Sequence, residues 1–151
     1  TRGESNELNV NEFRPYADST GVSSGRKAVC FYSINCEHCR HCAAKMAGII
    51  RRNNIPEDSV FCFFMQEYVD MSEPVSLFFD KYGEGLHLPF HWIYPLQFIP
   101  LTNGSMPLVC LFDDGRLIKE YDRLTLDEAA ISEFILPPPA AYSVNTSSIS
   151  R

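Results

Sequence analysis

An unbroken apolar run, Ala28 to Ile34 (AVCFYSI), leads almost directly into a long amphipathic stretch, and this junction constrains the fold more than any other feature of the chain. The run is rich in β-branched and aromatic residues and does not alternate with polar ones, which suits a strand buried on both faces. Beyond it, Cys39, Cys42, Ala43, Met46, Ile49 and Ile50 recur at three- and four-residue spacing, while Arg40, His41, Lys45, Arg51 and Arg52 take the other side. That spacing predicts a helix from about Cys36 to Arg52 with a solvated basic face, ended by Asn53-Asn54-Ile55-Pro56. A second buried-strand pattern follows at Ser59 to Met65 (SVFCFFM). Strand, helix, strand in this order implies parallel strands joined by a right-handed crossover.

The remaining elements extend the same layer plan. Ser72 reads as an N-cap with Pro74 in the first turn; Val75, Phe78, Phe79 and Tyr82 then share a helical face, and Gly83 stops it. Leu86 to Leu101 is aromatic and interrupted by Pro89, Pro95 and Pro100; it reads as one short strand around Phe90 to Tyr94, then irregular chain. Leu108 to Phe112 is a third buried strand. Asp114-Gly115 is a hairpin turn, and Arg116 to Tyr121 is the return strand. Thr125 with Glu128 reads as a capping box opening a last helix to about Ile135. The expected architecture is one α/β domain over residues 27–136, a mixed central sheet flanked by helices on both faces. A polar, loosely packed lead-in (1–26, with one short element near Leu8 to Phe13) and a mobile Pro/Ser-rich tail (137–151) complete it.

Chemistry concentrates in the cysteines. Cys36-Glu37-His38-Cys39 stands where the buried strand meets the helix. At a helix N-terminus the unpaired N–H groups and the dipole favour an anion, so a thiol there is biased toward thiolate. A second thiol one turn further on is within reach of a mixed disulfide formed by the first. This makes Cys36 the expected nucleophile and Cys39 the expected resolving thiol; a structural disulfide or two inert thiols is the alternative. His38 is placed to put a donor or positive charge near a Cys36 thiolate, and Glu37 acts in the opposite sense. Cys42 extends the motif to Cys-x-x-Cys-x-x-Cys on the apolar face; core packing, an auxiliary thiol and a metal ligand are its three readings. Cys30, Cys62 and Cys110 sit singly in apolar runs and read as reduced core residues that come close together on neighbouring strands. Lone carboxylates such as Glu67 and Asp70 carry no distinct pattern.

The strand AVCFYSI, the motif Cys36-Glu37-His38-Cys39, Met106-Pro107 before the strand LVCLF, the Asp114-Gly115 hairpin and the final helix together resemble the thioredoxin-like family. Within it, the run FYSINCEHCRHC looks most like the extracytoplasmic thiol–disulfide oxidoreductases of the TlpA and ResA kind. The resemblance implies dithiol–disulfide exchange with protein thiols by Cys36 and Cys39, without a cofactor and with electrons passing to or from a redox partner protein. It also implies that Pro107 is the family's cis-proline and that Met106 and Pro107 present backbone groups to an extended substrate peptide. Two departures stand out. Cys30 occupies the strand position where thioredoxins proper carry a buried Asp, so that aid to proton transfer from Cys39 is missing. Asn35 and Glu37-His38 replace the Trp and Gly-Pro of cytosolic thioredoxins, which points to a specialised exchanger. The rival readings are a thioredoxin-like module that binds copper or zinc, or one that binds a partner without redox turnover.

Charge narrows the partners. With 13 Lys and Arg against 19 Asp and Glu, the net charge of −6 argues against nucleic acid. No apolar run reaches the ~18 residues of a membrane span. The chain begins at Thr1 without Met, which reads as a processed product. Together with the resemblance this suggests an extracytoplasmic (periplasmic or envelope) location and leaves room for membrane tethering through a removed N-terminal segment.

Overall fold

The computed structural model describes residues 7–137. A five-stranded sheet runs in the order β3-β2-β1-β4-β5, with β1 at Arg26–Tyr32, β2 at Val60–Met65, β3 at Phe90–Ile93, β4 at Leu108–Asp113 and β5 at Arg116–Tyr121. β1, β2 and β3 are parallel, while β4 and β5 join antiparallel. The mixed sheet expected from the pattern is therefore present. Buried side chains alternate between its two faces. Cys30, Tyr32, Cys62, Phe64, Val109 and Leu111 pack under helices α2 (Glu37–Asn53), α3 (Ser72–Tyr82) and α5 (Glu128–Ile135). Val29, Phe31, Phe63, Cys110 and Phe112 pack under α1 (Val10–Thr20) and α4 (Pro95–Thr102).

Over its described part, the loose lead-in is replaced by structure. Asn9 caps α1, its side chain accepting the Glu12 N–H at 3.3 Å, and Gly21 ends it at φ +82°. Leu8, Phe13, Ala17 and Val22 are all buried against the sheet. The short element expected near Leu8 to Phe13 is thus an 11-residue helix, its full length masked because these few apolar residues are diluted by polar ones. Pro15 stands sixth in this helix, past the N–H groups that lack intrahelical partners, so it forgoes one bond, to the Asn11 carbonyl, while buried Phe13 and Ala17 beside it hold the helix on the sheet. The irregular chain expected after β3 is corrected as well. Pro95 occupies the first helical position of α4, where proline is pre-organised rather than disruptive, and Phe98 and Leu101 carry the helix into the core.

Two caps also move. The Ser72 N–H is held by the Asp70 carboxylate at 2.9 Å, and the cap of α3 is Met71. α5 is capped by Asp127, which accepts the Ala130 N–H at 3.0 Å. Thr125 is instead engaged with Asp122 in the preceding turn, accepting its N–H at 2.9 Å. Glu128 pairs with Arg52 across α2 and α5 through two 3.0 Å hydrogen bonds, so part of the basic face of α2 serves as a clamp. Cys30 and Cys62 face each other in the β1–β2 register, but Cys110 pairs with Val29 and so points to the opposite face of the sheet. The expected meeting of three cysteines is thus limited to two, because the antiparallel register is offset by one residue. The expected tail beyond Pro137 lies outside the described residues.

Candidate active site

The parallel strands deliver the ends of β1, β2 and β3 to one edge of the sheet, and the start of β4 returns there. From β1 the chain makes a short loop, Ser33 to Asn35, and enters α2 at Cys36. Cys36 is itself the N-cap, in extended conformation, and its Sγ accepts the Cys39 N–H at 3.3 Å. A sulfur thus occupies the place usually taken by a Ser or Asp oxygen, receiving a helix N–H that would otherwise lack a partner. Its own N–H donates to the Ser33 carbonyl at 3.2 Å. Cys36 is partly exposed; Cys39 is fully buried. The Cys39 sulfur accepts the Ser33 N–H at 3.4 Å. Burial, and then the bond with Cys36, push the Cys39 thiol well above the ordinary range, opposed by the Ser33 N–H. The six cysteines are all free.

Glu37 and His38 are exposed on the first turn of α2. Cys42 lies one turn beyond Cys39, fully buried, and burial pushes its thiol up to about 12. Among the described residues no group of three or more His, Cys, Asp or Glu side chains is arranged to hold a metal ion. The Met106–Pro107 bond is cis. Because Leu108 pairs with Phe31 in the antiparallel β1–β4 ladder, Met106 and Pro107 sit at the same edge as the loop after Tyr32. Met106 and Cys36 both pack against the same core.

Three residues at this edge are grouped by no pattern in the sequence. The Ser33 hydroxyl donates to one oxygen of Glu67, and the Asn35 side-chain amide donates to the other at 2.6 Å. Glu67 lies just past β2, more than thirty residues away in the chain. Only the strand register, which sets Tyr32 beside Phe64, brings it to the loop, so no local signal reveals it.

No protein-family model matches the chain. It is 30% identical over 105 residues to the protein TlpB of Flavobacterium psychrophilum, a match that covers 69% of this chain but 27% of that protein. The chain thus spans about a quarter of the length of this relative. Among solved structures it is similar to a putative protein disulfide isomerase from Bacteroides thetaiotaomicron, with a TM-score of 0.56, 18% identity and 77% of each chain covered. It is also similar to a secreted thiol-disulfide isomerase from Corynebacterium glutamicum, with a TM-score of 0.53, 13% identity, and 79% of this chain and 73% of that one covered.

Proposed function

We propose that this chain, whose thioredoxin-like fold is similar to those of solved thiol–disulfide oxidoreductases, exchanges a Cys36–Cys39 dithiol or disulfide with protein thiols. The observation that carries this reading is the pairing of a partly exposed sulfur capping a helix with a buried sulfur one turn behind it. In the reducing direction, the Cys36 thiolate attacks a substrate disulfide; one substrate sulfur leaves as thiolate, and a mixed disulfide forms. Cys39 then gives up its proton and attacks Cys36 Sγ. The Cys36–Cys39 disulfide forms and the second substrate thiol is released. Two electrons pass to the substrate, and the same steps run backwards make the chain an oxidant.

In this reading His38 tunes the stability of the Cys36 thiolate, Glu37 opposes it, and Met106 and Pro107 receive an extended substrate segment at the neighbouring edge. The resident partner is a second redox protein that restores the pair. An extracytoplasmic location fits the secreted isomerase of similar fold. The test is insulin reduction with dithiothreitol as electron donor. The natural chain should accelerate precipitation, Cys36→Ser should abolish the effect, and Cys39→Ser should accumulate a mixed disulfide. Equal rates for the natural chain and Cys36→Ser would refute the proposal and leave a partner-binding module as the better reading.

A further inference from the structure

Resting on this exchange reading, we propose that Glu67 is a positioning residue for the resolving step: it holds the Ser33–Asn35 loop so that the Ser33 N–H stays on the Cys39 sulfur. Every polar group of Ser33 is committed to the site. Its N–H donates to Cys39 Sγ at 3.4 Å, and its carbonyl accepts the Cys36 N–H at 3.2 Å. Its hydroxyl donates to Glu67 and accepts the Asn35 N–H at 3.4 Å. Ser33 is buried, at 4% exposure, so these bonds are not shared freely with water. Glu67 reaches it from the end of β2, and the Glu67 backbone N–H is itself tied to Met71 Sδ at 3.5 Å.

A carboxylate suits this place for a chemical reason. It is an acceptor at both oxygens and so serves two donors, the Ser33 hydroxyl and the Asn35 amide, at once. Such charge-assisted bonds are shorter and stronger than neutral ones. The clamp therefore fixes the residues on both sides of Ile34, immediately before the nucleophile. Cys39 benefits most, because it attacks only as thiolate and burial opposes that form. The aligned Ser33 N–H is a fixed donor to the developing sulfur charge, and it works without an acid at position 30.

The two thiols can be followed separately with an aromatic disulfide that releases a coloured thiolate. Cys36 attacks it, forming a mixed disulfide and releasing one aromatic thiolate. Cys39 loses its proton to the buffer and attacks Cys36 Sγ, closing the protein disulfide and releasing the second. The first phase depends on reagent concentration; the second does not. Loosening a hydrogen bond to a charged sulfur should make Glu67→Ala slow the second phase roughly tenfold more than the first. Glu67→Gln keeps one acceptor, so it should slow the second phase by about threefold more than the first, and it carries the test if the alanine variant does not fold. A second phase that is unchanged, or slowed no more than the first, in the folded variants overturns the role of Glu67. A natural chain that never releases the second thiolate overturns the exchange reading instead.

Discussion

Removing the Phe13 ring should cost the domain a large share of its stability. Phe13 is 1% exposed. Its ring centroid lies 5.4 Å from Phe31, 5.3 Å from Phe63 and 5.3 Å from Phe112, three side chains rising from β1, β2 and β4. It is therefore the main contact of α1 with the sheet, inserted among rings that cannot collapse onto an alanine. Truncating a buried Phe costs about 3–5 kcal/mol, against a total of roughly 5–15 kcal/mol for a domain of this kind. With a urea slope of about 1–3 kcal/mol per molar, the unfolding midpoint of Phe13→Ala should fall by about 2 M. Far-UV circular dichroism in urea reads this directly. The control is Arg14→Ala, one residue on and exposed, which should shift stability by less than about 0.5 kcal/mol. If Phe13→Ala loses less than about 1 kcal/mol, or Arg14→Ala loses as much, α1 is an appendage and the packing argument fails.

Two further outcomes concern the thiols. In the reduced, folded chain at neutral pH, iodoacetamide should label Cys36 first. Cys42, buried and pushed up to about 12, holds on the order of one thiolate in a hundred thousand at neutral pH and should stay unlabelled until the chain unfolds; peptide mass mapping that finds Cys42 labelled as fast as Cys36 would defeat this. Replacing His38 by Pro should lower the redox potential of the Cys36–Cys39 pair measured against glutathione, because a nearby donor or positive charge favours the thiolate and hence the reduced form; a rise, or no change, removes His38 from the tuning of the site.

The strands and the long helix are readable in the sequence because their signals are local. AVCFYSI, SVFCFFM and LVCLF are buried on both faces and need no partner to be recognised. α2 announces itself by one apolar stripe, and the Asp114-Gly115 turn places both residues at positive φ, 50° and 84°. The full length of α1, and α4 altogether, escape a sequence reading for a shared reason. Each carries proline inside its span, and each buries only a few side chains. Proline is read as a break from sequence alone. Pro95 at the first position of α4 costs no helix bond, whereas Pro15 and Pro100, each sixth in its helix, forgo one N–H each and are held by the buried side chains beside them. The misplaced caps at Ser72 and Thr125 have a different origin: several Ser, Thr and Asp residues lie near each helix start, and only the backbone geometry selects among them.

The candidate site divides along the same line. Cys36 and Cys39 are three residues apart, so the strand–helix junction that holds them is legible in the chain itself. Glu67, Ser33 and Asn35 cannot be grouped that way, since their meeting depends on β1 and β2 pairing in parallel with Tyr32 beside Phe64. The Cys30 substitution sharpens the point. Thioredoxins proper, by the resemblance drawn from the sequence, carry an acid at that strand position, and reading along the strand alone reports it as lost. Across the sheet, an acidic group, Glu67, stands just past the end of the neighbouring strand, acting on the loop rather than on the sulfur directly. A comparison by position would score this site as impaired; a comparison by hydrogen bonds scores it as differently supported. The phase-resolved kinetics of the Glu67 variants decide between these two descriptions.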